Sequence, residues 1–85
     1  MNHRKKCWPQ FFEAVATGVK TFEIRDEDDC HYEIGDVVTL VEFDPDTGQE
    51  GSEIELPPIT YVVRGAPFLP EGKVVFSWTD TEHYP

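Results

Sequence analysis

The sequence predicts an α+β fold: a small mixed β-barrel of five to six strands with one N-terminal helix packed on it. One stretch near the N-terminus repeats its apolar residues at helical spacing, and short strand-like runs follow at close intervals through the rest of the chain. A chain of 85 residues is too short for two cores, so residues 1–85 are expected to form a single domain.

The helix is predicted over residues 9–17. It opens with a proline, which suits the first helical position, and Phe11, Phe12 and Val15 recur at helical spacing. These three side chains are expected to form the buried face. Gly18 follows the last periodic residue and is predicted to cap the helix in the left-handed conformation.

The remaining segments carry strand patterns. Val37–Phe43 is a nearly continuous β-branched run and predicts burial on both faces. Residues 59–64 are predicted to form a later strand, with Ile59, Tyr61 and Val63 on one face. Residues 79–85 read as a polar, flexible tail. The other predicted strands occupy residues 21–25, 52–56 and 73–78, and residues 1–7 form either an opening strand or a frayed arm.

The stretch G-V-K-T-F-E-I-R, residues 18–25, carries the most informative pattern of the chain. Because strand side chains alternate between faces, Phe22 and Ile24 point one way and the polar residues point the other. A hydroxyl, an acid and a guanidinium on one face suit a small polar ligand. The alternative is a half-buried strand whose outer face carries a surface ion pair of little energetic value. The candidate ligand-binding residues are Gly18, Lys20, Thr21, Glu23 and Arg25.

These residues resemble the motif G-x-K-x-x-E-x-R of the ASCH (activating signal cointegrator homology) domains, a PUA-like β-barrel family with small bacterial and phage members of unknown function. The resemblance covers the chain from about His3 to Phe76, and further segments carry it: His3 and residues 9–15, 34–37 and 42–44. It implies a cleft between helix and barrel that binds RNA or a nucleotide through Lys20, Glu23 and Arg25.

The sequence differs from these ASCH relatives in two places. Some small bacterial ASCH relatives are amidohydrolases that remove acyl groups from modified cytidines with a Lys, a Thr and a Glu. Lys20 matches their lysine, whereas Glu23 stands where their threonine would be, so catalysis is the alternative rather than the first expectation. Relatives also tend to carry a Lys and an Arg in the loop after the motif. Here that loop is one residue longer and acidic: Asp26, Glu27, Asp28 and Asp29.

The net charge of −10 limits the possible partners. Polyanions bind to clusters of Lys and Arg, so broad, sequence-independent coating of DNA or RNA is not expected. A local pocket for one nucleotide remains compatible with an acidic surface. A second alternative is a protein-interaction domain whose partner has a basic surface.

The sequence does not favour a metal-binding, disulfide-rich, membrane or secreted protein. Four like charges in residues 26–29 predict a solvated loop, without the spacing of a calcium site. Cys7 and Cys30 are too few for a disulfide framework, and a zinc site with neighbouring histidines has poor ligand spacing. No metal or other cofactor is expected. The sequence has no membrane-spanning run and no secretory signal peptide, so a cytoplasmic location is expected.

Overall fold

A computed structural model describes residues 1–79 of the chain. It contains one helix and six strands. The predicted tail lies outside the described residues, apart from Thr79. In chain order the elements are β1 Asn2–Cys7, α1 Pro9–Ala16, β2 Phe22–Asp26, β3 Val37–Phe43, β4 Glu50–Glu55, β5 Ile59–Arg64 and β6 Lys73–Trp78.

The strands form two three-stranded sheets. In the first sheet β3 is central, with β1 parallel to it on one side and β4 antiparallel on the other. In the second sheet β6 is central, and β2 and β5 both run antiparallel to it. The α+β class is therefore correct. Within residues 1–79 neither sheet closes into the barrel that the sequence analysis predicted, because β1 and β2 each end a sheet as an edge strand.

The core combines residues from both sheets. Leu40 and Val38 from β3 and Val74 and Phe76 from β6 are almost fully buried. The ring of Tyr32, which lies in the loop between β2 and β3, stacks on Phe76 with ring centroids 4.8 Å apart. This loop therefore contributes a central side chain to the core, although its acidic residues 26–29 predict a solvated segment.

Helix α1 packs against β3 and buries only part of the predicted face. Phe12 and Val15 are buried, as predicted, but Phe11 is 45% exposed. The prediction for Phe11 was wrong because Phe11 and Phe12, as neighbours on a helix, lie about 100° apart around its axis. Phe12 therefore faces the core, and Phe11 lies at the side of the helix, in partial contact with solvent.

Strand β5 contains an irregularity that the sequence did not predict. Its register with β6 shifts between Ile59 and Tyr61. Ile59 is buried whereas Tyr61 is 63% exposed, so these two side chains do not share a face. An extra residue in one strand of a pair inverts the alternation beyond it, and this corrects the predicted face.

The acidic loop is solvated only in part. Asp28 and Asp29 are exposed, but the Glu27 side chain is largely buried and Arg64 of β5 binds it through two nitrogens, at 2.7 and 3.0 Å. The hydrogen bond from Arg64 lowers the pKa of Glu27. Glu27 also accepts a hydrogen bond from the backbone N–H of Tyr32 at 2.8 Å. It therefore anchors the loop that carries the core tyrosine.

None of the residues from 1 to 79 belongs to a helix that is long and apolar enough to cross a lipid bilayer.

Candidate functional site

A cleft of about 460 Å³ lies where the end of β1 and the start of α1 approach the edge strand β2. Its lining combines apolar and charged groups. The apolar part comes from Cys7, Trp8, Phe11, Phe22 and Ile24, and the charged part comes from Lys6, Lys20, Glu23 and Arg25.

The end of helix α1 places Lys20 at this cleft. Gly18 adopts a positive φ of 80°, and its N–H donates to the carbonyl of Val15 at 3.0 Å. The N–H of Lys20 then donates to the carbonyl of Ala14 at 2.9 Å. The predicted left-handed Gly18 is thus present, and it turns the chain back so that Lys20 lies beside the strand that follows.

Lys20, Glu23 and Arg25 form a compact ionic group, here named the charged triad. Lys20 Nζ lies 3.0 Å from Glu23 Oε1, and Arg25 Nε donates to Glu23 Oε2 at 3.1 Å. Glu23 is only 3% exposed. The triad is therefore not the surface ion pair of the alternative interpretation. Two cations around one carboxylate leave it with a formal charge of +1.

Arg25 also links the two sheets. Its Nη1 donates to the backbone carbonyl of Lys6 on β1 at 3.1 Å. The hydrogen bond joins the edge strands β1 and β2, which otherwise belong to separate sheets. The Nη2 amino group of Arg25 has no hydrogen-bond partner among residues 1–79.

Three aromatic rings give the cleft an apolar wall. Trp8 is 50% exposed, and Phe11 and Phe22 are nearly as accessible. Trp8 and Phe11 stack with centroids 6.0 Å apart. Lys20 Nζ lies 5.3 Å from the ring centroid of Phe11 and 5.4 Å from that of Phe22, within cation–π range. The ammonium is thereby held between the aromatic wall and Glu23.

Cys7 lies in the lining of the cleft but is nearly inaccessible. Burial raises the pKa of its thiol, and the nearby Glu23 carboxylate raises it further. A thiol in this environment stays protonated and is a poor nucleophile. Cys7 therefore serves as an apolar part of the cleft.

A second, more polar cavity of about 300 Å³ adjoins the cleft, with Ile24 and Arg25 in both linings. Three carboxylates of the chain after the motif line it: Asp26, Asp28 and Asp29. Lys5 lies 3.6 Å from Asp29, and Lys73 pairs with Asp26. The acidic residues thus border this cavity and are not among the residues that line the main cleft.

The predicted site residues divide into two groups. Lys20, Glu23 and Arg25 meet in the cleft, whereas Gly18 and Thr21 are not among its lining residues. Gly18 acts through the turn, and the carbonyl of Thr21 accepts from the N–H of Trp78 in β6. Four lining residues were not among the predicted site residues: Lys6, Cys7, Trp8 and Phe11. They come from β1 and α1, which approach β2 only in the folded chain.

The two histidines among residues 1–79, His3 and His31, lie away from the charged triad. His3 Nε2 lies 2.8 Å from Asp36 Oδ2, and His31 lies beside Glu27 and Glu33. Within residues 1–79 no group of three or more potential ligands is placed to hold a metal ion.

The chain matches, over residues 2–78, the family described as "Domain of unknown function (DUF3850)". Because this match spans most of the 85 residues, the protein belongs to that family. A comparison with curated proteins finds no match to this chain.

Proposed function

We propose that this protein is a binding module for RNA or a nucleotide-like ligand, and that the ligand occupies the cleft between α1 and β2. One observation carries the proposal: the charged triad and three accessible aromatic rings line the same small cleft. Nucleobases offer a π-face for stacking and an edge of donors and acceptors. This cleft offers groups that complement both.

The size of the cleft supports a small ligand. Pockets for small molecules and cofactors have volumes of about 300–1,000 Å³, and this cleft lies at the lower end of that range at about 460 Å³. It has room for one base or nucleoside. A longer RNA would place a single unpaired residue in it, with the remainder outside.

The local charge supports the same ligand class. The chain carries a net charge of −10, yet the triad in the cleft has a formal charge of +1. A few converging donors bind a polar ligand even within an acidic envelope. The resemblance to ASCH domains points in the same direction, since it implies a PUA-like fold and an RNA-binding cleft at these residues.

Hydrolysis of an acylated cytidine is the second candidate. Lys20 and Glu23 are 3.0 Å apart in the cleft, and they provide two of the three residue types used by the acyl-removing ASCH relatives. The hydroxyl is the missing element, because Thr21 is not a lining residue and no other Ser or Thr among residues 1–79 lines the cleft. Binding without catalysis is therefore the function we propose first.

A pair of arginine variants tests the proposal. Arg25→Gln removes the guanidinium from the cleft, whereas Arg4→Gln removes one that pairs with Glu50 and Glu53 on the first sheet. Affinity is measured by NMR titration with the four ribonucleosides and their 5′-monophosphates. Arg25→Gln is expected to weaken binding at least tenfold, and Arg4→Gln less than twofold. Equal affinities for wild type and Arg25→Gln would contradict the proposal that the ligand binds in this cleft.

Adding N4-acetylcytidine to the same titration distinguishes the second candidate. Free acetate that accumulates with the wild type but not with Lys20→Ala identifies a hydrolase. An unchanged ligand spectrum together with saturable shifts identifies a binding module.

A further inference from the structure

The geometry points to a specific ligand edge: the cleft binds a planar ring with an imide, C(=O)–NH–C(=O), of which uracil is the example among the RNA bases. This inference rests on the proposed function and adds the chemical class of the ligand. It follows from the order in which donors and acceptors stand in the charged triad.

The triad presents the order donor, acceptor, donor. A carboxylate has about four lone-pair sites, and Glu23 uses one on each oxygen, for Lys20 Nζ and for Arg25 Nε. Lys20 has three N–H donors and uses one on Glu23. Arg25 retains its Nη2 donors, since only Nε and Nη1 have partners among residues 1–79. Glu23 is thus an acceptor that lies between Lys20 and Arg25, and each of these two has further N–H groups to donate to a ligand.

The complement of this order is acceptor, donor, acceptor. The pairing edge of uracil has that order, with O4, N3–H and O2. Its N3–H would donate to Glu23 while its two carbonyls accept from Lys20 and Arg25. Hydrogen bonds to charged groups are about twice as strong as neutral ones, so the three contacts favour this edge.

Cytosine and adenine mismatch the central position. Each presents a ring-nitrogen lone pair there, which would face the Glu23 carboxylate. Guanine matches the first two positions, but its 2-amino group places a donor against a cation. The Glu23 carboxylate is almost fully buried, so a ring lone pair placed against it has no hydrogen bond there, and the mismatch reduces affinity.

The aromatic wall suits the same ligand. Trp8, Phe11 and Phe22 line the cleft together with the triad, so a flat ring can stack on an aromatic face while its edge meets the charged row. Stacking tolerates any base. Discrimination among bases is therefore expected to come from the triad.

The test is a titration of the full chain with uridine, N3-methyluridine, cytidine and guanosine. N3-methyluridine keeps the ring and both carbonyls of uridine but has a methyl group in place of the central N–H donor. Uridine is expected to bind at least tenfold more tightly than each of the other three. Glu23→Gln is expected to reduce that preference for uridine over N3-methyluridine to less than threefold, and Glu53→Gln, an exposed glutamate that pairs with Arg4, is expected to retain it.

The wild-type panel decides the inference even if Glu23→Gln does not fold. If N3-methyluridine, cytidine or guanosine binds as tightly as uridine, the imide assignment is wrong while the proposed function stands. If no nucleoside binds, both are wrong.

Discussion

Glu23 is held from both sides, by Lys20 through one carboxylate oxygen and by Arg25 through the other. Removing one partner of a buried ion pair is costly, because the remaining charge loses its compensation. The two cations keep partial contact with solvent, whereas the carboxylate has almost none. The carboxylate is therefore the residue that fixes the positions of both donors in the cleft.

Phe11 and Phe12 are adjacent in sequence but have different roles. Phe12 is in the core, so Phe12→Ala is expected to lower the free energy of unfolding by about 3 kcal/mol or more, the usual range for a buried phenylalanine. Phe11 is half-exposed in the cleft wall. Phe11→Ala is expected to cost about 1 kcal/mol or less and to weaken nucleoside binding severalfold.

Urea denaturation and NMR titration of the two variants check this prediction. Each variant is the control for the other, because the substitution and the helix are the same. Equal loss of stability in both would contradict the assignment of Phe11 to the cleft.

Strand β2 is the element in which the apolar and polar faces are reversed. Its alternation follows the predicted period, but the exposed side chains are Phe22 and Ile24 while Glu23 is buried. Opposite Glu23 in the sheet is Phe76, a core residue of β6. A half-buried strand would ordinarily place its apolar face inward. Here the inward face carries Glu23 and Arg25, and the apolar side chains of Phe22 and Ile24 lie in the lining of the cleft.

Strands β1 and β3 are joined at one end by Asp36. Its Oδ2 accepts hydrogen bonds from His3 Nε2 at 2.8 Å and from the backbone N–H of Glu33 at 3.1 Å. Its Oδ1 binds the ammonium of Met1. Burial alone would raise the pKa of Asp36, but these hydrogen bonds, that from His3 foremost, lower it from 3.8 to about 2.

The lowered pKa predicts a loss of stability in acid. The folded state holds the proton on Asp36 more weakly than the unfolded chain does. The stabilisation is therefore complete above pH 3.8 and falls as the pH drops from 3.8 towards about 2. It amounts to about 2 kcal/mol, since one pKa unit corresponds to about 1.4 kcal/mol.

Asp36→Asn is expected to be less stable than wild type by about that amount at pH 7 and to approach it near pH 2. Asp46→Asn, in the exposed turn before β4, is the control and should follow the wild-type curve. The measurement is urea unfolding between pH 2 and 7. A constant difference between Asp36→Asn and wild type across this range would contradict the assigned role of Asp36.

For the whole molecule, the arrangement of the sheets determines where the cleft lies. The edge strands β1 and β2 are bridged by Arg25 through the carbonyl of Lys6. The main cleft and the polar cavity share Arg25 in their linings. The charged triad and the aromatic rings of the cleft therefore lie together at the unclosed junction of the two sheets.

Local patterns predicted the elements well. The bounds of β3, β5 and β6 agree with the predictions, and α1 ends one residue early. Turn and strand preferences depend on neighbouring residues, which a sequence displays directly. Strand β4 was predicted from residue 52 but begins at Glu50, since its first residues pair with β3 beyond a bulge.

Properties that depend on distant contacts were not predictable in the same way. The exposure of Phe11 and the depth of Glu23 depend on how β1 and α1 meet β2. The order of the strands in each sheet is likewise set by packing between segments far apart in sequence. The triad was found because its three members lie within six residues, whereas the aromatic wall had no such local signal.

The most direct test of the central claim is a chemical-shift map of the isotopically labelled chain during titration with uridine and a short single-stranded RNA. Binding in the cleft predicts saturable shifts of the Trp8 indole N–H and of the backbone amides from Lys20 to Arg25. Signals of β4, on the far edge of the first sheet, should stay in place. Shifts confined to β4, or no shifts with either ligand, would contradict the assignment of the cleft as a nucleotide-binding site.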